Sequence, residues 1–238
     1  MKKRSELPLR VRRPPPVMLA FVLSLATLAG CALPTVTQRP AQTEYRLRSL
    51  SSRLAQPGLR PVILRVLPVQ AAPGLGRVDM LYSAQPLQLM PYRDSRWLVP
   101  PAQMVDSALR QTLQRQPWVA AVEGMLPLRD VGATLVCSLQ RLEQDVAAHS
   151  ASLGLRCQLV DSRPGTLLAA WDFQGTQKLA QQDAAGYAMA TQRLLDRAPQ
   201  QVLRRSAAAL RRRQQTRGGC AQADDQPCSP TSRSSASP

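Results

Sequence analysis

The chain has 238 residues and a formal net charge of +16, because 31 lysines and arginines outnumber 15 acidic residues. Its single histidine, His149, cannot form a histidine-rich metal centre. A serine–histidine–aspartate triad would also depend on that one residue, which we expect near a hairpin turn. Gly74-Leu75-Gly76 lacks the lysine and hydroxyl residue that complete a phosphate-binding loop, so the sequence predicts neither an enzyme nor a bound cofactor.

The first 30 residues have the three parts of a secretory signal peptide. Six lysines and arginines precede an apolar run from Val17 to Leu28, and small residues follow it. This run is too short for a membrane-spanning helix, which needs roughly 20 apolar residues. The order Leu28-Ala29-Gly30-Cys31 resembles the lipobox of bacterial lipoproteins, where cleavage precedes a cysteine that is then lipidated. We therefore predict lipid attachment at Cys31; the alternative is an ordinary cleaved signal with an incidental cysteine.

The residue after Cys31 is Ala32. In lipoproteins of the enteric type, an aspartate at that position favours the inner membrane, so the resemblance implies a periplasm-facing protein anchored to outer-membrane lipid by its acyl chains. Removal of the signal takes away six basic residues and one acidic residue, which leaves a net charge near +11. Such a charge indicates an anionic partner. Because export separates the protein from nucleic acid, phospholipid head groups or an acidic protein face fit better.

Residues 31–58 are predicted to be the lipidated cysteine and a flexible tether, with a first strand at Glu44–Leu47. Pro34, Pro40 and Pro57 stand there among glutamine, threonine and serine, which suits a segment that holds a domain clear of a bilayer. A folded domain is predicted over residues 59–214. Residues 215–238 are rich in Gly, Ser, Pro, Asp and Gln, and predict a disordered tail.

The first half of the domain predicts strands and then a helix. Runs of β-branched and apolar residues favour strands, and a proline pair suits a first helical turn. The predicted strands are Val62–Pro68, Met80–Tyr82 and Leu87–Tyr92, and the helix lies between Pro100-Pro101 and Pro117.

The second half predicts a strand at Trp118–Val122, a long hairpin, a strand at Leu167–Gln174 and a last helix over Asp183–Arg213. Pro199 is expected to kink or divide this helix. Successive strands with two helices packed on one face predict an α+β domain built on a small mixed or antiparallel sheet.

The hairpin carries two cysteines on its leucine face. If it turns around Ala147, Cys137 and Cys157 stand directly opposite each other, at a separation that a disulfide can bridge with modest adjustment. The alternative is two reduced thiols that act as small apolar side chains, because a slip of one residue separates the pair. Cys220 and Cys228 in the tail could pair with each other.

The last helix ends in a cluster of cations. No acidic residue lies between Gln201 and Gly219, and the cluster consists of Arg204, Arg205, Arg211, Arg212, Arg213 and Arg217. One interpretation is a solvated helix end, where cations suit the helix dipole. The other is contact with an anionic surface such as lipid head groups.

Three further residues leave alternatives open. Trp97 could mark a partner-binding edge, although its bulk favours packing beneath the first helix. Arg96 and Asp79 could form a pair or lie separately on a solvated surface.

Four segments carry a family resemblance in order and spacing: Leu64–Val69, Arg77–Tyr82, Arg96–Pro101 and Met104–Leu113. Together with the lipobox, they resemble the ABC-type transport auxiliary lipoprotein component family, which includes the PqiC-like lipoproteins. The resemblance covers roughly residues 42–210.

The resemblance implies a small α+β sandwich similar to the amino-terminal domain of TolB and to LptE. It also implies a non-enzymatic part in an ABC-type lipid transport system that spans the envelope. The expected partner is a bridge protein of the mammalian-cell-entry type, docked at the outer membrane, and self-association into a ring is possible in such lipoproteins. The alternative is an LptE-like lipoprotein that braces an outer-membrane barrel.

Overall fold

The computed structural model describes residues 42–48, 58–124 and 130–221, with side chains as far as Arg217. Within these ranges the chain forms nine strands and two helices. The strands are β1 (Thr43–Tyr45), β2 (Val62–Val66), β3 (Gln70–Ala71), β4 (Asp79–Ser83), β5 (Met90–Trp97), β6 (Val119–Glu123), β7 (Ala133–Asp145), β8 (Ser150–Asp161) and β9 (Leu167–Lys178). The helices are α1 (Pro101–Gln114) and α2 (Ala184–Ala221).

Strand β7 is the central strand of one mixed sheet. One of its edges pairs in succession with β2, β3 and β4, all parallel to it. Its other edge forms a long antiparallel hairpin with β8, and β9 extends that hairpin. The remaining strands lie further out, with β6 beside β2 and β5 beside β4, followed by β1. The predicted α+β class and mixed sheet are confirmed.

Both helices cover one face of this sheet, because its strands are apolar on alternate residues. Every second residue of β7 from Ala133 to Leu139 is buried, and the residues between them are partly exposed. Helix α1 begins with proline, which needs no amide partner in the first turn, and buries a stripe that includes Val105, Leu109 and Leu113. Helix α2 contacts α1, β8 and β9. The result is a continuous core between helices and sheet.

Trp97 belongs to this core, where 1% of its surface is exposed. Its ring meets that of Tyr187 on α2 at a centroid distance of 5.5 Å, edge to face. Tyr92 stacks on Tyr187 at 6.3 Å and meets Tyr82 at 5.1 Å. This chain of rings ties β4 and β5 to the first turns of α2.

Several predicted boundaries differ from the structure. The first strand lies at Thr43–Tyr45, inside the predicted tether, and Leu47 after it is buried in the domain core. The strand predicted at Leu87–Tyr92 begins only at Met90, because Leu87 has a left-handed backbone with φ of 67°. Gln70 and Ala71, which follow the predicted strand Val62–Pro68, form the short strand β3.

Helix α2 departs most from expectation. It continues through Pro199 and reaches Ala221, beyond the predicted domain limit at residue 214. Proline removes one backbone hydrogen bond, but burial of the surrounding turns, including Leu195 and Val202, holds the helix together. Residues 222–238, with Cys228, and the signal and most of the tether, with Cys31, lie outside the described residues.

Candidate docking surfaces

The candidate docking surfaces of the domain lie at the two ends of β7. At its carboxyl end, Asp145 pairs with Ser83 of β4 and Ser150 of β8. The β4–β5 loop, the β7–β8 turn and the start of α2 meet here, and we name this region (residues 84–89, 146–149 and 182–185) the turn end. At the amino end of β7, Ala133 pairs with Asp161, to which the last turns of α2 are bound. We name that region (residues 60, 130–132, 161–167 and 204–217) the arginine end.

The chain enters the described domain from the side of the turn end. Gln42 donates a hydrogen bond from Nε2 to the carbonyl oxygen of Arg93 at 2.9 Å, and β1 then runs parallel to β5. Arg96 of β5 binds Glu44 of β1, and its cross-strand neighbour Asp79 binds Arg77 instead. The first described segment of the chain therefore begins on this side of the domain.

Cys137 and Cys157 occupy directly opposed positions of β7 and β8 and form a disulfide in the structure. Both are buried, at 2% and 1% exposure, on the face that the helices cover. Leu135 and Leu139 flank Cys137 on the same face of β7. The hairpin therefore folds in the register that a Cys137–Cys157 disulfide requires. The disulfide itself remains a prediction.

Two of the six arginines singled out from the sequence serve the fold. Arg213 donates from Nε and Nη2 to the two carboxylate oxygens of Asp161, at 2.5 and 2.8 Å. Arg217 donates to Asp161 Oδ2 at 3.1 Å. The side chain of Arg213 is only 11% exposed and that of Asp161 only 4%. The buried carboxylate of Asp161 thus holds the guanidinium of Arg213 within the fold, away from the surface contact considered for the cluster.

The other members of the cluster lie nearer to solvent. Arg204, Arg205 and Arg212 are exposed, and Arg211 is partly exposed and has a partner of its own. Arg205 and Arg212 are seven residues apart, which places them on one side of the helix, and Arg204 lies about a quarter-turn from them. We name the exposed residues Arg204, Arg205 and Arg212 the arginine row.

Two glutamines of α2 hold the chain on either side of residues 49–57. Gln192 accepts a hydrogen bond from the amide of Arg48 at 2.8 Å and donates one to the carbonyl oxygen of Arg48. Gln214 makes the same pair of bonds with Arg60, both at 3.0 Å. The sequence does not predict these contacts, because a glutamine on a helix indicates only a polar position. They make α2 the element that fixes the approach to β2.

A groove of about 640 Å³ opens at the turn end beside the chain entry. Tyr45, Tyr82 and Tyr92 line it together with Asp183 and the first residues of α2. The Tyr92 hydroxyl donates to Gln144 Oε1, and burial together with the charge of Asp183 raises the pKa of Tyr92. The groove is therefore aromatic, with Asp183 at its helix side and Arg93 and Asp94 at its β5 side.

Because of Tyr187, which lies beneath this groove, we expect the protein to lose stability at alkaline pH. Burial, with smaller contributions from Glu143 and Tyr92, raises the pKa of Tyr187 well above its ordinary value of 10.0. The unfolded chain releases this proton near pH 10 while the folded chain keeps it, so the free energy of unfolding should fall as pH rises beyond about 10. Urea titrations should show a shallower fall for Tyr187→Phe. Equal slopes for the two proteins would contradict the prediction.

The described residues offer little for catalysis or metal binding. His149 is exposed in the β7–β8 turn, with a left-handed φ of 49°. Within residues 42–48, 58–124 and 130–221, no three His, Cys, Asp or Glu side chains come together as a metal-binding group. In the same part of the chain, no helix is both long and apolar enough to cross a membrane.

Comparison with known proteins relates the chain to lipoproteins of transport systems. The family model described as "ABC-type transport auxiliary lipoprotein component" matches residues 45–203. No curated protein matches the sequence.

Two of the solved structures that match share the fold at low sequence identity. A Xanthomonas campestris protein of the DUF330 family is 19% identical, with a TM-score of 0.66 over 73% of this chain and 99% of its own. An uncharacterized protein is 15% identical, with a TM-score of 0.57 over 69% of this chain and 97% of its own. A PelC dodecamer from Paraburkholderia phytofirmans is 13% identical, covers 63% and 90% of the two chains and has a TM-score of 0.34, which does not bear on assembly here.

Proposed function

Since the chain belongs to the ABC-type transport auxiliary lipoprotein component family, we propose that it docks the periplasmic bridge of an intermembrane lipid transporter at the outer membrane. Family membership makes the chain a lipoprotein auxiliary component of an ABC-type transport system. The proposal adds a bridge partner of the mammalian-cell-entry type and an acyl anchor at Cys31. In this role the protein holds and positions its partner, and catalyses no reaction.

The observation that carries the proposal is the separation of the chain entry from the arginine end. Cys31 precedes Gln42 by 11 residues, a stretch that spans about 40 Å when fully extended and about 17–20 Å on average when flexible. Asp183 lies in the groove with Tyr92 and Arg93, so the start of α2 is level with the chain entry. From there α2 rises about 42 Å to Arg212. An anchor at Cys31 therefore favours a turn end near the bilayer and an arginine end directed into the periplasm.

This orientation selects between the two anionic partners that suit the net charge. Head groups of the anchoring leaflet lie near the turn end, beyond the usual reach of the arginine row. An acidic face on the end of a bridge protein would approach from the periplasm and meet Arg204, Arg205 and Arg212 first. Charged groups of opposite sign would then steer the encounter and fix its register.

The proposal is tested by photo-crosslinking in cells from position 212 and identification of the captured protein. A bridge protein of the mammalian-cell-entry type is the expected partner. Capture of a β-barrel protein would favour the LptE-like alternative. Capture that includes no transporter subunit would refute the docking role.

Charge reversal should weaken bridge capture. In a pull-down with purified bridge protein, the combined substitutions Arg204→Glu, Arg205→Glu and Arg212→Glu place three acidic groups against an acidic partner, and we expect a loss of capture of about tenfold or more at low salt, shrinking as salt rises. The matched control is Arg93→Glu with Lys178→Glu, two exposed cations at the turn end. If the control variant loses as much capture as the first, the arginine row is not the docking surface.

A further inference from the structure

The β4–β5 loop exposes two leucine side chains, Leu87 and Leu89, to solvent. Leu87 is fully exposed and Leu89 is 54% exposed. Residues 83–90 contain no charged side chain. Exposed apolar side chains that cluster in one uncharged loop mark a contact surface more often than single ones do.

The backbone of the loop makes the choice of leucine unusual. Gln88 donates its amide hydrogen to the carbonyl oxygen of Gln85 at 3.2 Å, which closes a β-turn with Pro86 and Leu87 at its corners. Leu87 occupies the third position with φ of 67°, where glycine or asparagine ordinarily stands. A leucine there strains the turn and packs against nothing, so its side chain serves something outside the domain.

The position of the loop indicates which surface it meets. The loop follows β4 and precedes β5 at the turn end, the side from which Gln42 leads back to Cys31. Gln42 stands 11 residues after Cys31, which keeps this end within about 40 Å of the acyl chains. We infer that Leu87 and Leu89 insert into the phospholipid surface and give the anchored domain a second membrane contact. This inference rests on the proposed acyl anchor at Cys31.

The second contact would fix the orientation of the domain. A single flexible tether leaves a domain free to rotate above the bilayer. Two leucines at the interface would hold the turn end down and keep the arginine end directed away from the membrane. Arg93 and Lys178 are exposed at the same end and would lie level with the head groups.

The test places a fluorescent reporter at the loop. In the lipidated protein, reconstituted in phosphatidylethanolamine–phosphatidylglycerol vesicles with brominated acyl chains, Leu87→Trp should be quenched strongly. The matched control is Leu167→Trp, because Leu167 is 58% exposed and lies at the arginine end. Trp97, Trp118 and Trp171 are buried and supply a constant background. A reporter at 87 that is quenched no more than the one at 167 would overturn the inference.

A second variant separates membrane contact from folding. Leu87→Gly removes the side chain and relieves the positive φ, so its thermal unfolding midpoint should stay the same or rise. In the mature chain with Cys31→Ser, flotation with the same vesicles should show about tenfold weaker partitioning for Leu87→Gly than for the parent. Equal partitioning would contradict the loop contact. Because neither assay contains a bridge protein, failure here leaves the docking role to be judged by its own crosslinking test.

Discussion

Replacement of Asp161 by alanine is expected to lower the free energy of unfolding by about 3–5 kcal/mol. The carboxylate is 4% exposed and accepts two hydrogen bonds from Arg213, whose side chain is 11% exposed. Alanine would leave that guanidinium buried without its counterion, and the uncompensated charge accounts for most of the cost. Urea denaturation followed by circular dichroism measures the difference.

Two matched variants show whether burial is the cause. Asp130 pairs with Arg163 at the same end of the domain, but both side chains are well exposed, so Asp130→Asn, which suits the left-handed φ of 66°, should cost about 1 kcal/mol or less. Arg213→Leu in the Asp161→Ala background should recover part of the loss, because it removes the buried charge and keeps apolar bulk. A similar loss for Asp161→Ala and Asp130→Asn would contradict this account.

The sequence predicted the parts of the fold that depend on local pattern. Alternation of apolar residues around Cys137 and Cys157 predicted the β7–β8 hairpin, since each strand buries one face. The proline pair before Met104 predicted the start of α1. The family resemblance, now confirmed over residues 45–203, implied the same α+β class as these local signals.

Contacts between distant segments were beyond such patterns. Asp161 and Arg213 are 52 residues apart, and an arginine at a helix end reads equally well as a solvated cation or as half of a buried pair. The contact of Gln192 with Arg48 spans 144 residues and rests on an amide that has no distinctive neighbours in sequence. Only the packing of α2 along the sheet brings these groups together.

Leu87 shows where a local pattern misleads. The apolar residues after Pro86 predicted a strand over Leu87–Tyr92, because runs of such residues favour strands. The structure instead turns at Leu87 and begins β5 three residues later, at Met90. The proline was the signal for a turn, but the absence of glycine hid it, and that absence is what makes the loop a candidate contact surface.

Loss of the Cys137–Cys157 disulfide is expected to lower the free energy of unfolding by about 3 kcal/mol, since the bond closes a loop of roughly 20 residues in the unfolded chain. The comparison is between oxidised and reduced forms of protein exported to the periplasm, because an oxidising compartment is required for the bond. Non-reducing peptide mapping should recover the two cysteines in one linked peptide. The midpoint of urea denaturation should fall on reduction.

Alanine variants distinguish the covalent link from the reducing conditions. Cys137→Ala with Cys157→Ala should match the reduced protein and become insensitive to reductant, while burial of alanine leaves only small cavities on the helix-covered face. Cys220→Ala and Cys228→Ala are present in every sample, so that exchange with those thiols cannot blur the result. Two free thiols in exported protein, or equal midpoints with and without reductant, would show that the hairpin is held by packing alone. A linked pair would instead make oxidation after export a step in completing the docking module, because β8 supports both the contact with α2 and the carboxylate of Asp161.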